Sequence, residues 1–232
     1  MNKPQYILLV VICLSFVTLV NAQHRRYVIK NGIAIGGGLT QFDKSTDNFN
    51  TKKGNGWLIG ASATGDLPNK WYNVSYGLQI SENNLKISGY ETVIDLAGDK
   101  EIEYNLFAVQ LAFLFHAKIA PNLLTIDAGP MIQYNGKLDL QSDNEENLYV
   151  YLNNGNSILA KELEEISQII LNGAIGATLG LGAFKFRAQY VYGFTNILNK
   201  LNGNEAEFGP HSGNTDFKGN QAMINFMALI TF

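Results

Sequence analysis

The chain has 232 residues, a formal net charge of −3, 46% apolar residues, 23 glycines and 5 prolines. Its one cysteine, Cys13, leaves no pair for a disulfide, a CxxC redox centre or a multi-cysteine metal site. The acidic balance argues against nucleic acid as a partner.

Residues 1–22 read as a secretory signal peptide. Lys3 supplies the positive start, Ile7 to Val20 the apolar stretch, and Val20-Asn21-Ala22 a small-residue cleavage site between Ala22 and Gln23. The stretch is too short and too early for a membrane helix. A lipoprotein anchor would need Cys13 at the mature N-terminus, behind a better box than Val10-Val11-Ile12. Residues 23–31 are expected to form a short periplasmic segment, and residues 32–232 the folded domain.

That domain shows no sustained helical period. Eight strand-like segments follow: Gly32–Phe42, Gly56–Leu67, Lys70–Ser81, Glu103–Ala120, Leu123–Leu138, Ile169–Leu181, Phe184–Thr195 and Gln221–Phe232. Three links are tight hairpin signals: Pro68-Asn69, Pro121-Asn122 and Gly182-Ala183. The other four, Asp43–Asn55, Glu82–Ile102, Asp139–Gln168 and Asn196–Asn220, are long and polar. Short and long links alternate without exception. A soluble sandwich has no reason to do this, whereas an outer-membrane barrel has periplasmic turns and extracellular loops. The expected fold is all-β, an eight-stranded antiparallel up-and-down transmembrane barrel with both mature termini in the periplasm.

Alternation assigns the faces. In the third segment Tyr72, Val74, Tyr76, Leu78 and Ile80 point to lipid, and Asn73, Ser75, Gly77 and Gln79 point inward. Phe184, Phe186, Ala188, Tyr190, Tyr192 and Phe194 point out of the seventh, leaving Lys185, Arg187 and Gln189 inside. Trp57, Tyr72, Tyr134 and Phe194 sit where aromatic girdles belong. An eight-stranded interior is filled by its own side chains, so an open pore is not expected. Ser157–Ser167 departs from strand period and predicts a short helix on the third long loop.

The last strand carries Ala222, Ile224, Phe226, Ala228, Ile230 and Phe232 on one apolar face. Phe226, Ile230 and the terminal Phe232 form the candidate signal for the barrel-insertion machinery. Gly36-Gly37-Gly38 invites a phosphate-loop reading, but no helix start follows, and small residues in a narrow barrel explain it better.

The inward ionisable residues near the short turns are Asp66, His116, Lys118, Asp127, Lys185 and Arg187. A two-residue Pro121-Asn122 turn sets His116 opposite Asp127. With Ser75 nearby, a nucleophilic site is conceivable; mutual neutralisation of buried charges is the simpler expectation. Of the 20 acidic residues, all but Asp66 and Asp127 lie in the long links or the flanking strand ends, which makes that end an acidic crown. Asp143-Asn144-Glu145-Glu146 lacks the glycine and ligand spacing of a defined calcium loop.

Two stretches, "NLLTIDAGPMIQY" ending at Tyr134 and "FRAQYVYGFTNI" over Phe186–Ile197, together with the terminal strand, resemble the small outer-membrane barrel proteins of Bacteroidetes often labelled PorT-like. In the first stretch the resemblance rests on Ala128-Gly129-Pro130 and Tyr134. It implies the same barrel and no set activity; named members assist type IX secretion. The expected function is a non-enzymatic integral outer-membrane protein without cofactor or metal, with a structural or surface-interaction role through acidic loops. Its partners would be outer-membrane lipid, the insertion machinery and a secretion-system or extracellular protein. The alternatives are an accessory role in type IX secretion and a lipid-modifying enzyme.

Overall fold

A computed structural model describes residues 28–42, 48–91, 100–153, 156–203 and 216–232. The leader and the Ala22/Gln23 cleavage site lie outside the described residues. The strands in chain order are β1 (Val28–Phe42), β2 (Thr51–Lys52), β3 (Gly54–Asp66), β4 (Tyr72–Gly89), β5 (Lys100–Ala120), β6 (Leu124–Leu140), β7 (Tyr149–Tyr151), β8 (Ser157–Leu159), β9 (Ile169–Leu181), β10 (Phe184–Gly193) and β11 (Gln221–Thr231). Eight of them close a ring of antiparallel neighbours, β1-β3-β4-β5-β6-β9-β10-β11, and β11 returns to β1. Closure leaves no unpaired edge in the ring, the condition for a sheet to stand in a membrane. No helix among the described residues is long and apolar enough to cross one.

The tight turns follow from their residues. Pro121 fixes its own φ, Asn122 takes φ 63°, and Leu123 N–H donates to Ala120 O at 3.0 Å. Gly182 takes φ 67° at the β9–β10 turn, a conformation that a Cβ would oppose. Gly36 and Gly38 sit inside β1, not in a phosphate loop. A Cβ there would come within 2.2 Å of Phe226 O and 2.3 Å of Ile224 O, so β11 packs too close for any side chain.

Lipid-facing positions expose Ile33, Ile35, Tyr76, Leu78, Leu111, Phe113, Ile132, Phe186, Phe226 and Ile230, while Ser75, Gln79, Gln110, Gln133, Asn172, Gln189 and Asn225 are buried inside. An apolar exterior around a polar interior is the inverse of a soluble barrel and the arrangement a bilayer demands. The lumen is filled: Gln133 Nε2 donates to Asn135 Oδ1 at 2.6 Å and Gln221 Oε1 at 2.9 Å, and Gln133 Oε1 accepts from Gln110 at 2.6 Å and Asn172 at 2.8 Å.

Toward the long loops this polarity reverses within single strands. On β4 the buried positions change from Gln79, Ser81 and Asn83 to Leu85 and Ile87. On β5, Ile102, Tyr104 and Leu106 are buried while Glu101 and Glu103 face out, and Lys86 pairs with both at 3.3 and 2.6 Å. Trp57, Glu82 and Phe107 form one cross-strand row at the change of polarity, and the Trp57 indole donates to Glu82 at 3.1 Å.

The expected Glu82–Ile102 loop is therefore corrected. β4 runs on to Gly89 and β5 starts at Lys100, because their outward charges belong to strand that has left the apolar belt. β1 likewise starts at Val28, ahead of the expected Gly32, and pairs Val28 with Asp66.

A second correction concerns Ser157–Ser167, which is not an α-helix. Ser157–Leu159 is a strand that pairs Ile158 with Val150, and Ala160–Glu164 is a 3₁₀ turn. Ile158, Leu163 and Ile166 are buried all the same, in a core with Phe49, Leu85, Ile87, Ile102, Tyr104, Leu138, Ile197, Leu198 and Phe217. Tertiary burial overrides the local period here. A bulge on β6 at Gly136-Lys137 lets Asn135 and Leu138 both face inward. The loops thus lay an apolar cap across the barrel mouth.

Candidate functional site

The inward residues at the short-turn end come from seven strands, β1, β3, β4, β5, β6, β9 and β10. Cross-strand register sets Asn73, His116, Asp127 and Gly176 in one row, and Lys118, Thr125, Thr178 and Arg187 in the row beside it, nearer the turns on β5 and β6. His116 Nδ1 lies 2.7 Å from Asp127 Oδ1, and His116 Nε2 lies 2.7 Å from Ser75 Oγ. With the proton on Nδ1, His116 donates to Asp127 and accepts the Ser75 hydroxyl.

Asp127 is fully buried and heavily supplied. Its Oδ1 also accepts from Thr125 Oγ1 at 2.7 Å, and its Oδ2 accepts from Thr178 Oγ1 and lies 3.3 Å from Arg187 Nε. Arg187 donates in turn to Thr178 Oγ1 at 2.9 Å. A carboxylate inside a protein needs such partners, and this one has an imidazole, two hydroxyls and a guanidinium.

Asp66 forms a second node closer to the opening. Lys30 Nζ stands 2.7 Å from its Oδ2, and Lys118 Nζ is 3.5 Å from its Oδ1 while donating to Leu67 O at 2.7 Å. Lys185 lines the same chamber, a cavity of about 450 Å³ that also borders His116, Lys118 and Arg187. Asp66, His116, Lys118, Asp127, Lys185 and Arg187 thus share one end of the lumen.

Ser75, Thr125, Thr178 and Lys30 complete the network outside the six ionisable residues singled out from sequence. Thr178 could have been found by the turn count, because a two-residue Gly182-Ala183 link pairs Leu181 with Phe184 and hence Thr178 with Arg187. Lys30 precedes the expected start of the first strand.

Chemically, Ser75, His116 and Asp127 have the spacing of nucleophile, base and orienting acid. Access is the difficulty. Ser75 is 5% exposed and borders a void of about 20 Å³, not the larger chamber, and Arg187 lines both.

The other singled-out residues lie elsewhere. Phe226, Ile230 and Phe232 are exposed along the outer face of β11 and just past its end. Asp143–Glu145 is a 3₁₀ turn in which the Glu145 carboxylate accepts Glu103 N–H at 3.0 Å, and Glu146 pairs with Lys161 at 3.0 Å. No group of three or more metal-ligating side chains occurs among the described residues. In the cap, Lys137 and Lys200 both pair with Glu165 and hold its carboxyl below the usual value, Lys200 foremost. Burial, together with Asp139, pushes neighbouring Glu164 upward.

No protein-family model matches the chain, and no curated protein matches it. Matching solved structures include Neisserial surface protein A, at 10% identity over 88% of this chain and 96% of that one, TM-score 0.40. The N-terminal β-barrel domain of Pseudomonas aeruginosa OprF matches at 11% over 87% and 97%, TM-score 0.32. LpxR from Salmonella typhimurium matches at 8% over 88% and 100%, TM-score 0.27. The superpositions are loose, and the closed ring rests on this chain's own strand register.

Proposed function

We propose that the chain is a non-enzymatic integral outer-membrane protein that works through the outer surface of its capped end. The observation that carries this reading is the double closure of the barrel: a lumen filled by hydrogen-bonded amides, and above it an apolar cap with charges facing outward. Among the described residues a barrel so closed shows no path for solutes, which leaves the cap surface for contact with other molecules. The barrel-insertion machinery would be its partner during assembly, and outer-membrane lipid its solvent.

Two measurements test this. Reconstituted protein should give no steady conductance in planar bilayers. With Cys13, the sole native cysteine, replaced by alanine, Lys161→Cys should react on intact cells with a membrane-impermeant maleimide, and Asn69→Cys should react only after the outer membrane is opened. Labelling of Asn69→Cys alone on intact cells would invert the orientation and remove the reading.

One observation favours a second reading, the serine-histidine-aspartate relay. For a lipid-modifying enzyme, Ser75→Ala would abolish a change in the lipid profile while leaving the barrel folded. The resemblance to PorT-like barrels supports an accessory role in type IX secretion. Its test is co-purification of secretion components with the intact protein.

A further inference from the structure

The chamber at the short-turn end holds more positive charge than its neighbours use. Four cations, Lys30, Lys118, Lys185 and Arg187, line it. Asp66 occupies Lys30 and Lys118, and Asp127 occupies Arg187. Lys185 is half-buried, and no hydrogen bond or ion pair is formed by it among the described residues. Three of the four cations are thus paired, and among the described residues Lys185 is the positive charge left without a partner in the chamber.

We infer that this chamber is a binding site for a phosphate monoester dianion. A phosphate ester brings several acceptor oxygens on one group, so that it can meet the Lys185 ammonium and neighbouring donors together, which a single carboxylate does less well. Lysine ammonium groups bind phosphate as point charges, and the Thr64 hydroxyl stands among them as a further polar group. At about 450 Å³ the chamber falls in the size range of small-molecule sites and exceeds what a bare phosphate fills. The remaining volume leaves room for a compact organic group. The ester is either a soluble metabolite or the headgroup of a lipid; both present the same phosphate.

The experiment uses the folded full-length mature barrel in neutral detergent, titrated calorimetrically and by amide chemical shifts at constant ionic strength. The probes are glycerol 1-phosphate, a short-chain phosphatidic acid and acetate. Glycerol 1-phosphate should bind with shifts centred on Lys185 and Thr125, and acetate should bind at least about tenfold more weakly. Lys185→Gln should weaken glycerol 1-phosphate by about tenfold or more and retain the heat-modifiable migration of a folded barrel, since Lys185 holds no structural partner. Lys161→Gln, in the cap, should change nothing. Tighter binding of phosphatidic acid than of glycerol 1-phosphate assigns a lipid source; equal or weaker binding assigns a soluble one. The inference is overturned by acetate binding as tightly as the phosphate, by shifts that avoid the chamber in the parent protein, by unchanged affinity in folded Lys185→Gln, or by no binding at millimolar ligand.

Discussion

Replacing Asp127 by asparagine removes one charge and one acceptor from the most densely paired point of the lumen. The carboxylate accepts from His116 and Thr125 on one oxygen and from Thr178 on the other, with Arg187 at 3.3 Å. Asparagine has one acceptor and one donor end. Whichever way the amide turns, its NH₂ meets a donor: His116 and Thr125 on one side, or Thr178 and Arg187 on the other. Arg187, whose side chain is only 9% exposed, loses its counter-charge at the same time. Breaking a buried pair by removing one partner costs about 3–5 kcal/mol. That is about 1–2 M in urea midpoint for a domain of this size. Unfolding in detergent, followed by the fluorescence of Trp57 and Trp71, reads it directly. Ser75→Ala leaves the His116–Asp127 pair intact and should cost only about 1 kcal/mol. Adding Arg187→Met to Asp127→Asn should restore much of the loss, because the stranded cation goes with its partner. A single Asp127→Asn variant within about 1 kcal/mol of the parent would refute the pairing account.

Three further outcomes follow from the cap, its charges and the last strand. Leu163→Ala, at a fully buried position of the cap core, should cost about 2–5 kcal/mol locally and expose the loops to protease while the membrane strands stay folded; unchanged proteolysis would mean the cap is not one packed unit. Glu164 has its carboxyl raised above the ordinary 4.5 by burial and by Asp139, so its favourable contribution is complete below pH 4.5 and is lost as pH rises through the raised value. Glu164→Gln should therefore stabilise the cap at neutral pH and not at pH 4, and equal midpoint shifts at both would sink that account. Deleting Phe232, which ends the outward face of β11, should lower outer-membrane levels of the protein, whereas normal levels would show that the terminal aromatic is incidental to assembly.

The strands and tight turns were legible because a bilayer enforces a simple rule on them. Outward Tyr76 and Leu78 against inward Ser75 and Gln79 can be read from alternation, and Pro121-Asn122 and Gly182-Ala183 punctuate the chain through backbone restriction. The upper reaches of β4 and β5 were missed for the same reason. Above the belt water replaces lipid, so Glu82, Lys86, Glu101 and Glu103 face out of strands whose buried face is Leu85, Ile87, Ile102 and Tyr104. Searched with the membrane rule, such segments look like polar loops. The Ser157–Ser167 stretch misleads differently, since its apolar residues are needed in the cap core and pairing of Ile158 with Val150 meets that need without a helix.

The site was half legible. Counting from Pro121-Asn122 with Ala120 opposite Leu123 reaches the His116–Asp127 row because two departures cancel: Ala120 pairs with Leu124 instead, and the β5 bulge at Ile119 restores the expected register from Lys118–Thr125 onward. The partners on other strands require the counts from several turns at once, and Ser75 requires the stagger between β4 and β5, which no short turn fixes because a long loop joins them. This has a consequence for how the two ends of the barrel are specified. The short-turn end is set by backbone chemistry and by charge pairs that demand register, so a one-residue slip would strand Asp127 among lipid-facing groups. The long-loop end is set by apolar burial, which is less directional. Sequence change should therefore be tolerated more readily in the cap, provided its core volume is kept, than in the rows around Asp127, where each donor has one acceptor to reach.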